Sequence, residues 1–178
     1  YYQRYGYRYA LPIDNHVNLD WRMIPETEPN RPDIGLSFRK AVLEDIDFLV
    51  AQDQSMARIY ETSCLRDSLE WDYLLTHSQE TDYGGEYWIA EKAGKAIGYC
   101  RLPFEGFGDG QILSEISHNL SYSEYIDFLR FVKLRGEERD KPYLRLNLSN
   151  EAALSEIAIN LGAKPGEPYA FQMKPVDS

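Results

Sequence analysis

Basic charge, cysteine and long apolar runs are all scarce in this chain. Of its 178 residues, 19 are Lys or Arg against 29 Asp or Glu, a net charge of −10. That balance repels a nucleic-acid backbone or an anionic membrane surface, so neither is expected as a partner. Its bland role is solubility. Cysteine occurs twice, at Cys64 and Cys100, far apart and in no CxxC pair. This argues against a disulfide framework and against a cysteine zinc site. Two small thiols, buried or half-buried in a reducing cytosol, are expected instead. His16, His77 and His118 are scattered, none with a second ligand at metal spacing, so no metal site is expected. No run reaches the ~18 apolar residues that a membrane helix needs.

What is present is enough for a core. Hydrophobic residues make up 43% and aromatics 13%, which rules out wholesale disorder and suits one domain with a short appendage. "PETEPNRPD", from Pro25 to Asp33, is rich in proline and acid and has no apolar side chain. It reads as a linker, assigned to 25–34. The leader before it, 1–24, alternates loosely through Tyr5, Tyr7 and Tyr9, then Val17, Leu19 and Trp21. Two short strands in hairpin relation around Pro12 to Asn15 are its simplest reading.

From residue 35 the pattern is regular. "GLSFRKA" reads as a strand and "VLEDIDFLVAQDQ" as a helix with early carboxylates. "RDSLEWDYLL" reads as a second helix, with Leu65, Leu69 and Tyr73 four apart. "EYWIAEKAGKAIGYCRL" gives a hairpin turning at Gly94. "FEGFGDG" is glycine-rich, but it runs into the strand "QILSEIS" rather than a helix, so it reads as a connecting loop. "SYSEYIDFLRFVKLRG" is a third helix, with Tyr122, Tyr125, Ile126, Leu129 and Val132 on one stripe. "YLRLNLS" is a strand with Leu144, Leu146 and Leu148 inward. "NEAALSEIAINLG" is a fourth helix, N-capped by Asn150 and stopped at Gly162, and "PYAFQMKPV" is a last strand. The predicted class is α/β on a mixed central sheet flanked by helices. The helix between "QILSEIS" and "YLRLNLS" makes those two strands parallel and adjacent.

This order, with these words in it, resembles the GNAT family (the GCN5-related N-acetyltransferases). "FRKAVLEDIDFLV" is similar to the family's opening strand and helix, and "YWIAEKAGKAIGYCRL" to its second and third strands. "LRLNLSNEAALSEIAINLGAK" is similar to its closing stretch, so the likeness covers about residues 35 to 174. The resemblance implies the acyl-CoA N-acyltransferase fold, acetyl-CoA as donor and an amine as acceptor. It also implies a base or water chain for the amine's proton and an acid, often tyrosine, for the departing thiolate. The family's diphosphate sits on a Gln/Arg-x-x-Gly-x-Gly/Ala loop at the start of helix three.

Two positions depart from that pattern. The loop here is His118, Asn119, Leu120 and Ser121, with no glycine and no arginine. These residues, with Asn150, are cofactor-binding by position only. The expected acid position falls on Ile157 or Ala158, and neither side chain can give up a proton. Acetyl-CoA binding by this stretch is therefore expected to be weak or absent. Glu115 stands where a base is expected, although a solvent-facing strand carboxylate is the favoured reading. Trp71, Tyr73, Tyr83, Tyr87 and Trp88 line either an acceptor pocket or, by preference, the core. "KLRGEERDK" reads as a solvated helix end.

The opening "YYQRYGY" resembles the end of the family's last helix, with Tyr2 at the acid position ahead of Gly6. The resemblance thus implies the tail of one GNAT domain (1–24), followed by a second, degenerate one (35–178), as in tandem Eis-like bacterial proteins. An aromatic hairpin plugging a lone domain is the competing reading. The function expected is that of a non-catalytic, structural part of an N-acetyltransferase. The upstream GNAT domain is its partner, with a homo-oligomer left open. The alternatives are a working acetyltransferase with an unorthodox CoA loop and a small-molecule sensor.

Overall fold

The computed structural model of the chain describes residues 2–13, 16–26, 35–59, 65–149, 151–167 and 169–173. A 3-10 turn, Tyr2–Tyr5, precedes β1 (Arg8–Ile13) and β2 (Val17–Leu19), and another, Trp21–Met23, follows them. Next come β3 (Ser37–Lys40), a 3-10 turn at Leu43–Asp45, α1 (Ile46–Met56) and α2 (Ser68–Thr76). The middle of the chain forms β4 (Gly85–Lys92), β5 (Lys95–Pro103), β6 (Gln111–Leu113) and β7 (Glu115–Ile116). The last part is α3 (Tyr122–Glu137), β8 (Leu144–Leu146), α4 (Ala153–Asn160), β9 (Lys164–Pro165) and β10 (Tyr169–Met173). Most of the expected linker, together with Cys64 and Asn150, lies outside the described residues.

Two four-stranded sheets share one line of chain. β3-β4-β5-β7 is antiparallel throughout, and β6-β8-β2-β9 contains the parallel pair β6·β8. The stretch expected as the single strand "QILSEIS" changes partners at Ser114. Leu113 lies opposite Leu146 on β8, whereas Glu115 lies opposite Arg101 on β5. The Ser114 N–H turns to the Arg101 carbonyl at 3.1 Å. The expected parallel pairing therefore holds in the first half of that strand, and the second half splays away from β8.

The two faces carry different helices. Alternation along β4 sends Tyr87 and Ile89 toward Leu49 of α1 and Trp71 of α2, forming one cluster with Tyr99. On the other face Trp88 and Ala90 join Cys100 and Leu102 against Tyr125, Phe128, Leu129 and Val132 of α3. The β4–β5 turn is the expected hairpin: Ala93 and Gly94 both take positive φ, 51° and 73°. Paired left-handed residues match the twist of the strands they join.

Helix α4 ends as its sequence predicts. Gly162 sits at φ 105°, its N–H reaches the Ile159 carbonyl at 2.9 Å, and that of Ala163 reaches Ala158 at 2.9 Å. These bonds satisfy carbonyls that the helix end would otherwise leave open. Its N-cap is Ala152, with no side-chain cap bond, rather than the expected Asn150.

Three expectations are corrected. The leader strands do not pair with each other: β1 pairs with β10, and β2 lies between β8 and β9. Val17, Leu19 and Trp21 are buried in the main core, and the Trp21 indole N–H donates to the Lys141 carbonyl at 2.7 Å. On α2, Leu69 and Tyr73 face outward and Trp71 is the residue that is buried; Leu65, exposed as well, lies ahead of the helix. On α3, Phe128 joins the buried stripe, while Tyr122 is exposed.

Candidate functional site

The loop from β7 into α3 lies where the family resemblance places a diphosphate. Ser117, at its start, is fully buried; its hydroxyl accepts from the Tyr99 N–H at 2.9 Å, and its own N–H donates to the Tyr99 carbonyl at 2.9 Å. Asn119 then takes φ 62°. Asparagine is one of the few side chains that visits this region without glycine, so the left-handed turn is present despite the missing glycine. Leu120 packs against the core.

Ser121 caps α3, and the cap is completed by a carboxylate. Its hydroxyl accepts from the Glu124 N–H at 3.4 Å, and Glu124 Oε2 accepts from the Ser121 N–H at 2.8 Å. The other oxygen of Glu124 takes a bond from Lys92 Nζ at 2.8 Å. Lys92 and the Ser121 N–H together hold the Glu124 carboxyl down at about 2. The positive end of α3 is thus already held by an anion from its own first turn.

His118 points elsewhere. Its Nε2 lies 2.9 Å from Ser55 Oγ at the end of α1, and its Nδ1 is buried with no hydrogen-bond partner among the described residues. Burial lowers its pKa. A bare Nδ1 fits the tautomer in which Nε2–H donates to the serine, which is the wrong form for a base toward Ser55.

Glu115 does not face solvent, contrary to its favoured reading. It joins an ion cluster between β5, β7, α1 and α2. Arg66 gives Glu115 two bonds, Nη1 to Oε1 at 3.1 Å and Nη2 to Oε2 at 2.8 Å. The same guanidinium gives fully buried Asp53 two more, from Nε and Nη2, both at 2.8 Å. The Tyr99 hydroxyl donates to Glu115 at 3.1 Å, and Trp71 Nε1 donates to Asp53 at 3.1 Å. Burial, then the charge of Glu115, pushes the Tyr99 phenol well above its usual range, so it stays a donor. Arg66 also lies 4.2 Å over the Trp71 ring. Both Glu115 oxygens are therefore engaged by donors, and the position a substrate ammonium would take beside the carboxylate is filled by Arg66.

The remaining candidates do not converge. Trp71 and Tyr87 are buried, with rings 5.2 Å apart and nearly perpendicular, and Trp88 packs on Phe131. Those three follow the core reading, whereas Tyr73 and Tyr83 are exposed. Ala158 is fully buried and Ile157 packs on the core, so α4 offers no acid there. Tyr2 opens the 3-10 turn Tyr2–Tyr5, and its side chain is outside the described part. Asn150 is outside it as well. Among the described residues no group of His, Cys, Asp and Glu is placed to hold a metal ion, and no helix is long and apolar enough to cross a membrane. Sequence reasoning missed Arg66, Asp53, Tyr99, Lys92 and Glu124. The S-x-x-E spacing of Ser121 and Glu124 is the one signal that marks any of them.

Comparison with known proteins places the fold. No protein-family model and no curated protein matches the sequence. The structure is similar to a GCN5-related N-acetyltransferase from Anabaena variabilis, with a TM-score of 0.62 and 19% identity over 96% of this chain and 42% of that one. It is likewise similar to a conserved protein of unknown function from Enterococcus faecalis, described as a probable N-acyltransferase. That match has a TM-score of 0.62 and 13% identity over 96% of this chain and 41% of the other. A ribosomal-protein-alanine N-acetyltransferase from Brucella melitensis biovar Abortus matches at a TM-score of 0.53 and 16% identity, over 72% of this chain and 92% of its own. The chain thus spans about two fifths of the first two proteins. Two half-sheets flanked by helices, with the chain passing from one to the other at Ser114 between β6 and β7, give this chain the GNAT acyltransferase fold.

Proposed function

We propose that this chain is a GNAT-fold domain that has kept the scaffold and lost the chemistry, acting as a structural part of a longer N-acetyltransferase. The observation that carries the reading is Glu124. An acetyl-CoA diphosphate at the start of α3 has to displace a carboxylate held by Lys92 and the Ser121 N–H, and meets no glycine backbone that lets it approach closely. The residues present do not fit the cofactor. Glu115 supports the same reading, because a carboxylate bonded to Arg66 and Tyr99 is not free to take a proton from an amine.

In this reading acetyl-CoA is bound by an upstream GNAT domain, whose last helix ends in "YYQRYGY" and whose acid is Tyr2. The geometry of that opening supports it: a helical turn ends at Gly6 with φ 85° and leads into β1, as α4 ends at Gly162 and leads into β9. The test is a steady-state acetyl-transfer assay with acetyl-CoA and a panel of amines. This chain should show no turnover above the uncatalysed rate. In the longer protein Tyr2→Phe should slow the chemical step by the ~10²–10⁴-fold typical of a general acid. Turnover by this chain that disappears in Glu115→Gln would place the chemistry here and sink the proposal.

A further inference from the structure

Helix α2 is apolar on both sides. Trp71 faces the core, fully buried, while Leu69 and Tyr73 are 79 and 49% exposed on the opposite side. A helix with two apolar faces needs two neighbours, and the described residues supply one. Leu69, Tyr73 and Leu74, with Arg66 and Glu70, line an open groove of about 400 Å³. The Tyr73 ring stacks on the His77 imidazole just past the helix end, 6.1 Å between centroids and 4° from parallel. Residues beneath it are held in place: Asp67 and Glu70 close a capping box at the start of the helix.

The charge along this stretch of the sequence is one-sided. From Leu65 to Tyr83 the chain carries Asp67, Glu70, Asp72, Glu80 and Asp82, against Arg66 alone. The Arg66 guanidinium is already spent on Asp53 and Glu115. We propose that the outer face of α2 is a docking site for an amphipathic helix that has a leucine-type apolar face flanked by lysine or arginine. A second copy of this chain is the poorer fit. It would bring the same five carboxylates against themselves, in a protein of net charge −10. A nine-residue helix is also only ~13 Å long. That length seats another helix, but falls well short of the ~800 Å² per partner of a standard interface between globular subunits.

The test titrates this chain by calorimetry with a synthetic amphipathic peptide of leucine and lysine, about five helical turns long. A leucine–glutamate peptide of the same pattern is run beside it. The leucine–lysine peptide should bind, more weakly as salt is raised, and the leucine–glutamate peptide should not. Leu69→Asp should weaken binding about tenfold or more, since a leucine's burial is lost. Tyr73→Ser should weaken it in the same direction, and Leu134→Asp on the exposed side of α3 should leave it unchanged. The first two side chains are largely exposed, so both variants keep the fold, checked by circular dichroism. Equal binding by Leu69→Asp, equal binding of the two peptides, or no binding at all would overturn the proposal. So would a dimer in sedimentation that Leu69→Asp dissociates, because the occupant would then be a second copy.

Discussion

Arg66 is the residue whose loss the structure prices most clearly. Its side chain is 11% exposed and bridges Asp53, which is fully buried, to Glu115. Arg66→Met keeps much of the packing over Trp71 and removes the charge. Among the described residues, Asp53 then keeps the Trp71 N–H and a long contact to the Tyr99 hydroxyl. Glu115 keeps that hydroxyl at 3.1 Å and Arg101 at 3.9 Å. Stranding one partner of a buried ion pair costs about 3–5 kcal/mol, against total stabilities of about 5–15 kcal/mol. In urea, at about 2 kcal/mol per molar, the unfolding midpoint should fall by roughly 1.5–2.5 M. Adding Asp53→Asn to Arg66→Met should restore part of the loss, since the uncompensated charge goes with it. A midpoint change worth under ~1 kcal/mol, the size of an exposed pair, would show that the cluster is solvated and that Glu115 is not locked.

Other consequences are measurable in the same chain. Glu124 is held at about 2 against an ordinary value of 4.5. Its stabilising contribution is therefore complete above about 4.5 and lost as pH falls toward about 2. Glu124→Gln should flatten the acid limb of a stability–pH profile in that window, and an unchanged limb would contradict the capping box. Cys100 is fully buried, and burial pushes its thiol far above the usual range. In a Cys64→Ser background it should react with a disulfide reagent only on unfolding, whereas prompt labelling in the folded state would show β5 opening. Gly162→Ala should cost about 1 kcal/mol or more, because alanine is strained at φ 105°. A neutral effect in thermal unfolding would mean that the α4 end relaxes.

Local chemistry was legible in the sequence, and long-range pairing was not. The Lys92–Lys95 turn and the Gly162 stop are written in adjacent residues, and both form as read. The leader failed as a hairpin because each strand's partner is remote. β1 finds β10 at the other end of the chain, and β2 finds β8 and β9. Alternation marks a strand without naming its neighbour. The α2 face was misread for a different reason. Leucines four apart satisfy helical periodicity, but one tryptophan on the opposite side buries more surface and takes the core. At the candidate site, the glycine-poor loop and the apolar pair Ile157 and Ala158 were visible in the sequence. The ion cluster was not, because Arg66 and Glu115 lie 49 positions apart and no spacing rule links them.

Calorimetric titration of this chain with acetyl-CoA tests the proposed loss of the cofactor site most directly. With Glu124 holding the start of α3, affinity should be no better than about 1 mM, about −4 kcal/mol. Micromolar binding that Ser121 and Glu124 variants alter would contradict it, and would make this domain a working acyl-CoA site.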